Sequence, residues 1–109
     1  MPALISNNNP AITANSVNVE LDVRDAHYAS VTIVGTFVAT VTFSVSNDKT
    51  NWFPINLLPS NSATSTSTAT AAGAFGANVQ PWAYLRAGTT AFTSGSLNVN
   101  VYALPISGV

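Results

Sequence analysis

Val17-Asn18-Val19-Glu20-Leu21-Asp22-Val23-Arg24 alternates without a break: Val17, Val19, Leu21 and Val23 point one way, and Asn18, Glu20, Asp22 and Arg24 the other. A period of two is the signature of a strand with one buried face, because successive side chains leave a pleated backbone on opposite sides. The same rhythm recurs downstream. Tyr28 to Val34 is rich in β-branched residues, which suit a pleated surface. Val41, Phe43 and Val45 alternate with Thr40, Thr42, Ser44 and Ser46, and Gly35-Thr36 reads as a bend or bulge between these two strands. A polar turn, Ser46 to Asn51, leads to a short strand opened by Trp52, Phe53 and Ile55 and ended near Pro59.

Trp82 to Ala87 is predicted as a further strand, Thr93-Ser94-Gly95-Ser96 as a turn, and Leu97 to Ala103 as the last strand. Ser60 to Ala72 contains only Ser, Thr, Ala and Asn and reads as a plain edge strand or extended loop. No stretch carries an apolar period of 3.6, so no substantial helix is expected. The expected fold is all-β: a single antiparallel β-sandwich or jelly-roll-like domain of seven to eight short strands. Residues 16–104 would form the domain. Residues 1–15, with turn formers at Asn7, Asn8, Asn9 and Pro10, would be an irregular N-terminal arm, and residues 105–109 a short C-terminal tail.

At 109 residues the chain suits one domain with one modest core. There is no Cys, which excludes a disulfide scaffold, a thiol nucleophile and a thiolate zinc site. Charged residues make up 6% of the chain, against about 25% in an average domain. So little charge does little to keep copies apart, which suggests a surface covered by partners in an assembly. The basic residues are Arg24, Lys49 and Arg86 alone, too few for the positive footprint that nucleic acid requires. Val31 to Val45, the most apolar stretch, is interrupted by Thr, Ser and Gly and falls short of the roughly 20 apolar residues of a membrane span. The N-terminus lacks a basic stretch followed by an apolar run, so no signal peptide is expected.

Groups able to do chemistry are few. His27 is the single histidine, and Asp25 could share its face, but no nucleophile-elbow sequence accompanies them. A turn histidine is the simpler reading. Glu20 and Asp22 stand about 7 Å apart on one strand face, within the spacing of a glycosidase pair, yet they read as a solvated face without a cleft. Asn47, Asp48 and Asn51 supply oxygen donors in one loop but lack the Gly and final Glu of a calcium loop. Gly73-Ala74-Phe75-Gly76 lacks the Lys of a phosphate loop. No enzyme, metal or cofactor is implied. Trp52, Phe53, Trp82, Tyr84 and Phe92 could build a sugar-stacking platform, and core or subunit-interface packing is the reading preferred for them.

The order of these pieces resembles a family of small bacteriophage β-sandwich domains, found in head decoration (cement) proteins and in tail-fibre or baseplate proteins. The resemblance covers about residues 17–103. It is carried by Val19 to Val23, Tyr28 to Ile33, Gly35-Thr36-Phe37, the run from Val41 to Trp52, Tyr84-Leu85-Arg86, and Ala91 to Val99. Family members often show a strand, then S-x-D-G-T-N-W, and later R-x-x-x-T-A-Y-x-S-G-x-x-x-V. Here Lys49 stands in place of the usual Gly and Phe92 in place of the usual Tyr. Because Lys tolerates positive φ poorly, a different turn type is expected at Lys49.

The resemblance implies a non-enzymatic virion protein with no catalytic residues to transfer. Met1-Pro2 at the start and Val109 shortly after the last strand suggest a free-standing domain, which fits a capsid decoration protein. Expected partners are the major capsid protein and copies of the chain itself, as a homotrimer bridging capsomers. The expected location is the capsid exterior, after assembly in the host cytoplasm. Leu4, Ile5 and Ile12 on the N-terminal arm, Leu104 and Ile106 at the C-terminal end, and Trp52 and Trp82 are the candidate partner-binding residues. Removing residues 1–14 is expected to abolish capsid binding and spare the fold. The alternative is a tail-fibre, head-fibre or adaptor role with receptor or glycan binding, which would need Trp52 or Trp82 exposed.

Overall fold

A computed structural model describes residues 5–24, 26–79 and 82–105. Eight strands follow in order: β1 (Ile5–Ile12), β2 (Asn18–Asp22), β3 (Ala26–Ser46), β4 (Phe53–Pro54), β5 (Leu58–Pro59), β6 (Thr68–Ala69), β7 (Gly73–Asn78) and β8 (Tyr84–Pro105). All pairings are antiparallel, and the described residues contain no helix. The all-β expectation holds.

The architecture hangs on β3 and β8, which pair along their whole length from Ala26↔Pro105 to Ser46↔Tyr84. β3 has 21 residues and β8 has 22. A straight strand of that length would reach about 70 Å, at roughly 3.3 Å per residue. The molecule is 42 Å in its longest direction. The ribbon therefore doubles back on itself and makes two layers from one continuous sheet. In the first layer β1 flanks the C-terminal half of β8, and β7 then β5 flank the N-terminal half of β3. In the second, β2 flanks the N-terminal half of β8, while β4 and β6 flank the C-terminal half of β3. Phe43 of the second layer meets Phe75 of the first with ring centroids 5.2 Å apart, closing the core between them.

The fold corrects the expected strand boundaries. Eight strands agree with the seven to eight expected, and the bend or bulge expected at Gly35-Thr36 is present, but β3 and β8 are long, and Thr93 to Ser96, expected as a turn, does not end a strand. Both segments lie inside long strands, opposite one another, with Gly35↔Leu97 and Phe37↔Gly95 as partners. The two glycines take φ of +130° and +98°, a region that side chains avoid. Register shifts at Val38/Ala39 and Thr40/Val41 complete the bend. Glycine and bulge signals mark a change of direction here, not an end of pairing.

The alternation itself survives. Val19 and Leu21, then Val31 and Ile33, Val41, Phe43 and Val45, Leu85 and Ala87, and Leu97, Val99 and Val101 all face the core. The irregular arm expected over residues 1–15 is also corrected. Its segment Ile5–Ile12 is a strand paired with β8, bulged between Asn9 and Ile12, and Ile12 is 1% exposed. The Asn-rich run can form a strand because it is an edge partner whose pairing comes from its backbone. The link from β1 to β2 is pinned by buried Thr89. Its Oγ1 donates to the Ala14 carbonyl (2.9 Å) and accepts from the Val17 amide (3.0 Å). Ser60 to Ala72 is mostly turns and bends, with Thr68–Ala69 and a Leu57↔Thr66 bridge as its paired points.

Candidate interaction surfaces

Folding sorts the charges. Among the described residues, every charged side chain (Glu20, Asp22, Arg24, Asp48, Lys49 and Arg86) lies on the second layer or in the loops at its end. Outward positions of that layer run Glu20–Arg86–Ser44 and Asp22–Tyr84–Ser46 across the strands. Arg24 Nε donates to both Asp22 oxygens at 3.0 Å. That hydrogen bond is the main reason the Asp22 carboxyl titrates below its ordinary range. The Arg24 and Lys49 cations both sit over the Tyr84 ring, and the Arg86 guanidinium lies 4.3 Å from the Trp52 ring.

The outer face of the first layer carries no charge at all among the described residues. Tyr28 stands beside Leu104 and Asn78, and Ser30 stands between Tyr102 and Gly76, with Ser6 and Leu58 continuing that row. Thr32, Asn100 and Asn8 form the next row. Tyr28 is 50% exposed, Leu104 51% and Leu58 48%. His27 stacks on Tyr28 at 4.4 Å and belongs to this face. It is the second residue of β3 and does not sit in a turn. No group of three or more His, Cys, Asp or Glu gathers anywhere among the described residues.

At the end of the second layer, the Ser46–Asn51 loop is closed by one carboxylate. Asp48 Oδ1 accepts from Ser46 Oγ (2.9 Å) and from the amides of Thr50 (2.9 Å) and Asn51 (2.8 Å), and Oδ2 accepts from Asn51 Nδ2 (2.9 Å). The Asn51 and Thr50 amides, above all, hold the Asp48 carboxyl far below the usual carboxylate range. The turn type expected at Lys49 is corrected. Lys49 takes φ +61°, the conformation glycine would favour, and its amide donates to Ser46 Oγ at 2.9 Å.

The candidate residues scatter accordingly. Leu104 is exposed beside Tyr28. Ile12 is in the core, so it offers no surface to a partner. Ile5 contributes its backbone to β1, while Leu4 and Ile106 lie outside the described residues, as does Asp25. Trp52 and Trp82 are both half-buried: Trp52 under Arg86, Trp82 packed against the core. The aromatic side chain left most open is Phe53, at 62%. Sequence reasoning grouped Phe53 with its neighbours; a two-residue strand in which both side chains stay exposed has no periodic signature.

No family model and no curated protein matches the sequence. Solved structures do match its fold. The SPBc2 prophage-derived protein YomS superposes with a TM-score of 0.73 at 9% identity, over 95% of this chain and 97% of YomS. The PBSX exported protein XepA superposes with a TM-score of 0.74 at 20% identity. The match covers 94% of this chain and 39% of XepA, so the chain spans about two-fifths of that protein. At these identities the likeness shows a shared fold.

Proposed function

We propose that the chain is a non-enzymatic structural component of a bacteriophage particle, and more narrowly a decoration protein of the capsid exterior. The observation that carries this reading is the segregation of charge onto one layer. The cores of protein interfaces are depleted in charge and enriched in Tyr and other large side chains. The first-layer face has both properties, with Tyr28, Tyr102, Leu104 and Leu58 set among Ser, Thr and Asn. Burying it against a capsid protein desolvates no Asp, Glu, Lys or Arg side chain. The charged layer would then face water and keep the particle soluble. The phage context is supported by a fold shared with the prophage-derived YomS and with the PBSX exported protein XepA.

In this reading the gripping element is a sheet face; the N-terminal segment expected to act as a clamp is largely spent on β1. The test is co-sedimentation of the purified chain with capsids of the phage that encodes it. Wild type should pellet with capsids even in 1 M salt, because an uncharged contact is insensitive to screening. Tyr28→Lys with Tyr102→Lys should stay soluble and folded but remain in the supernatant. Equal pelleting of both would refute the face assignment.

A further inference from the structure

We propose that the pocket beside the Ser46–Asn51 loop binds a neutral glycan. The pocket has a volume of about 270 Å³ and is lined by Ser46, Asn47, Asp48, Asn51, Phe53 and Trp82. That is below the range of about 300–1,000 Å³ usual for drug-sized ligands and suits a single sugar ring. Its chemistry is amphipathic in the way a pyranose is. Phe53 and Trp82 supply aromatic surface for the C–H face of a sugar, and Phe53 is exposed with no partner ring. The remaining residues supply polar groups for hydroxyls.

Those polar groups are already held in place. Asn47 Oδ1 accepts from the Ala83 amide at 3.2 Å, which turns the Nδ2 donors to the other side of the amide. Asp48 Oδ1 is saturated by three donors, but Oδ2 accepts only from Asn51 and keeps a free lone pair. One hydroxyl can donate to Asp48 Oδ2 while accepting from Asn47 Nδ2. No part of the loop has to be ordered on binding, so the entropic cost of association is low. Among the described residues, the only formal charge in the lining is the Asp48 carboxylate, and Lys49 is turned to the Tyr84 ring. Sialylated, uronic or phosphate-bearing glycans are therefore repelled, and a neutral hexose or N-acetylhexosamine chain is selected.

The pocket belongs to the charged layer, and its lining shares no residue with the uncharged face. A subunit docked by that face would present the pocket to solvent.

The experiment is a glycan array probed with the purified full chain, followed by tryptophan fluorescence titration with the array's neutral hits. Two variants accompany it. Phe53→Ala removes an exposed ring. Asn47→Asp keeps the acceptor for Ala83 but loses the outward donors. Wild type should bind neutral oligosaccharides and not their acidic counterparts, with both variants at least about tenfold weaker, the scale of one lost aromatic contact or hydrogen bond. Circular dichroism spectra of the variants should match wild type. Absence of binding across the neutral glycans, preference for acidic ones, or wild-type affinity in both variants would overturn the proposal. Capsid co-sedimentation is read separately, so failure here leaves the docking-face reading intact.

Discussion

Gly95 stands directly opposite Phe37 at the bend of the β3–β8 ribbon, with φ +98°, and a Cβ added to it would overlap the Thr36 carbonyl oxygen and the Phe37 Cα. The fold depends on this close approach, because it lets a 22-residue strand serve two layers. Gly95→Ala is expected to destabilise the domain by about 2–4 kcal/mol, combining positive-φ strain with a backbone clash. The control is Gly76→Ala, where the added methyl meets the Ala29 carbonyl oxygen at an ordinary 3.4 Å. Urea melts should separate the two variants clearly, with Gly76→Ala near wild type.

Ile12 provides a second check. It is fully buried although it ends a polar, Asn-rich strand. Ile12→Ala should cost about 2–4 kcal/mol, the range for a large aliphatic side chain truncated in a core. Asn8→Ala on the same strand, with an exposed side chain, should change stability by less than about 0.5 kcal/mol. An irregular docking arm would make both substitutions silent in a thermal melt.

Asp48 gives the pH dependence its sign. Its carboxyl is depressed in the folded chain by the Asn51 and Thr50 amides, from an ordinary value of 3.8. A depressed acid stabilises the fold at pH above its unfolded value, and that contribution is lost as pH falls through the folded one. The domain should therefore hold its stability down to about pH 4 and lose it progressively in more acid solution. Asp22, depressed chiefly by its hydrogen bond to Arg24, acts in the same direction. Melts of Asp48→Asn between pH 5 and 2 should show a shallower decline than wild type.

These contrasts indicate which features the sequence made legible. Period-two alternation placed Val19, Leu21, Val41, Phe43, Val99 and Val101 in the core, because a half-buried strand leaves no other position for them. Strand ends were less legible. Gly35 and Gly95 carry the same local signal whether a chain turns back or bends within a ladder, and only their cross-strand pairing separates the cases. β1 was missed because an edge strand held by backbone bonds can be built from Asn. Lys49 was read by intrinsic preference, which the Ser46 and Asp48 hydrogen bonds override.

The interaction surfaces were less legible still. The sequence shows that charge is scarce, but not that Tyr28 forms one uncharged face with Tyr102 and Leu104, which lie more than 70 positions later. Phe53 and Trp82 likewise meet at one pocket only because β4 and the start of β8, which Trp82 precedes by two residues, flank the same half of β3.

The uncharged face of the first layer is the proposed docking face. This assignment is tested most directly by an image reconstruction of purified particles of the encoding phage. Density for this domain is expected on the capsid exterior, oriented with Tyr28, Tyr102 and Leu104 against the shell and the charged layer toward solvent. Density confined to the tail, or a capsid-bound domain with that face open to solvent, would contradict it.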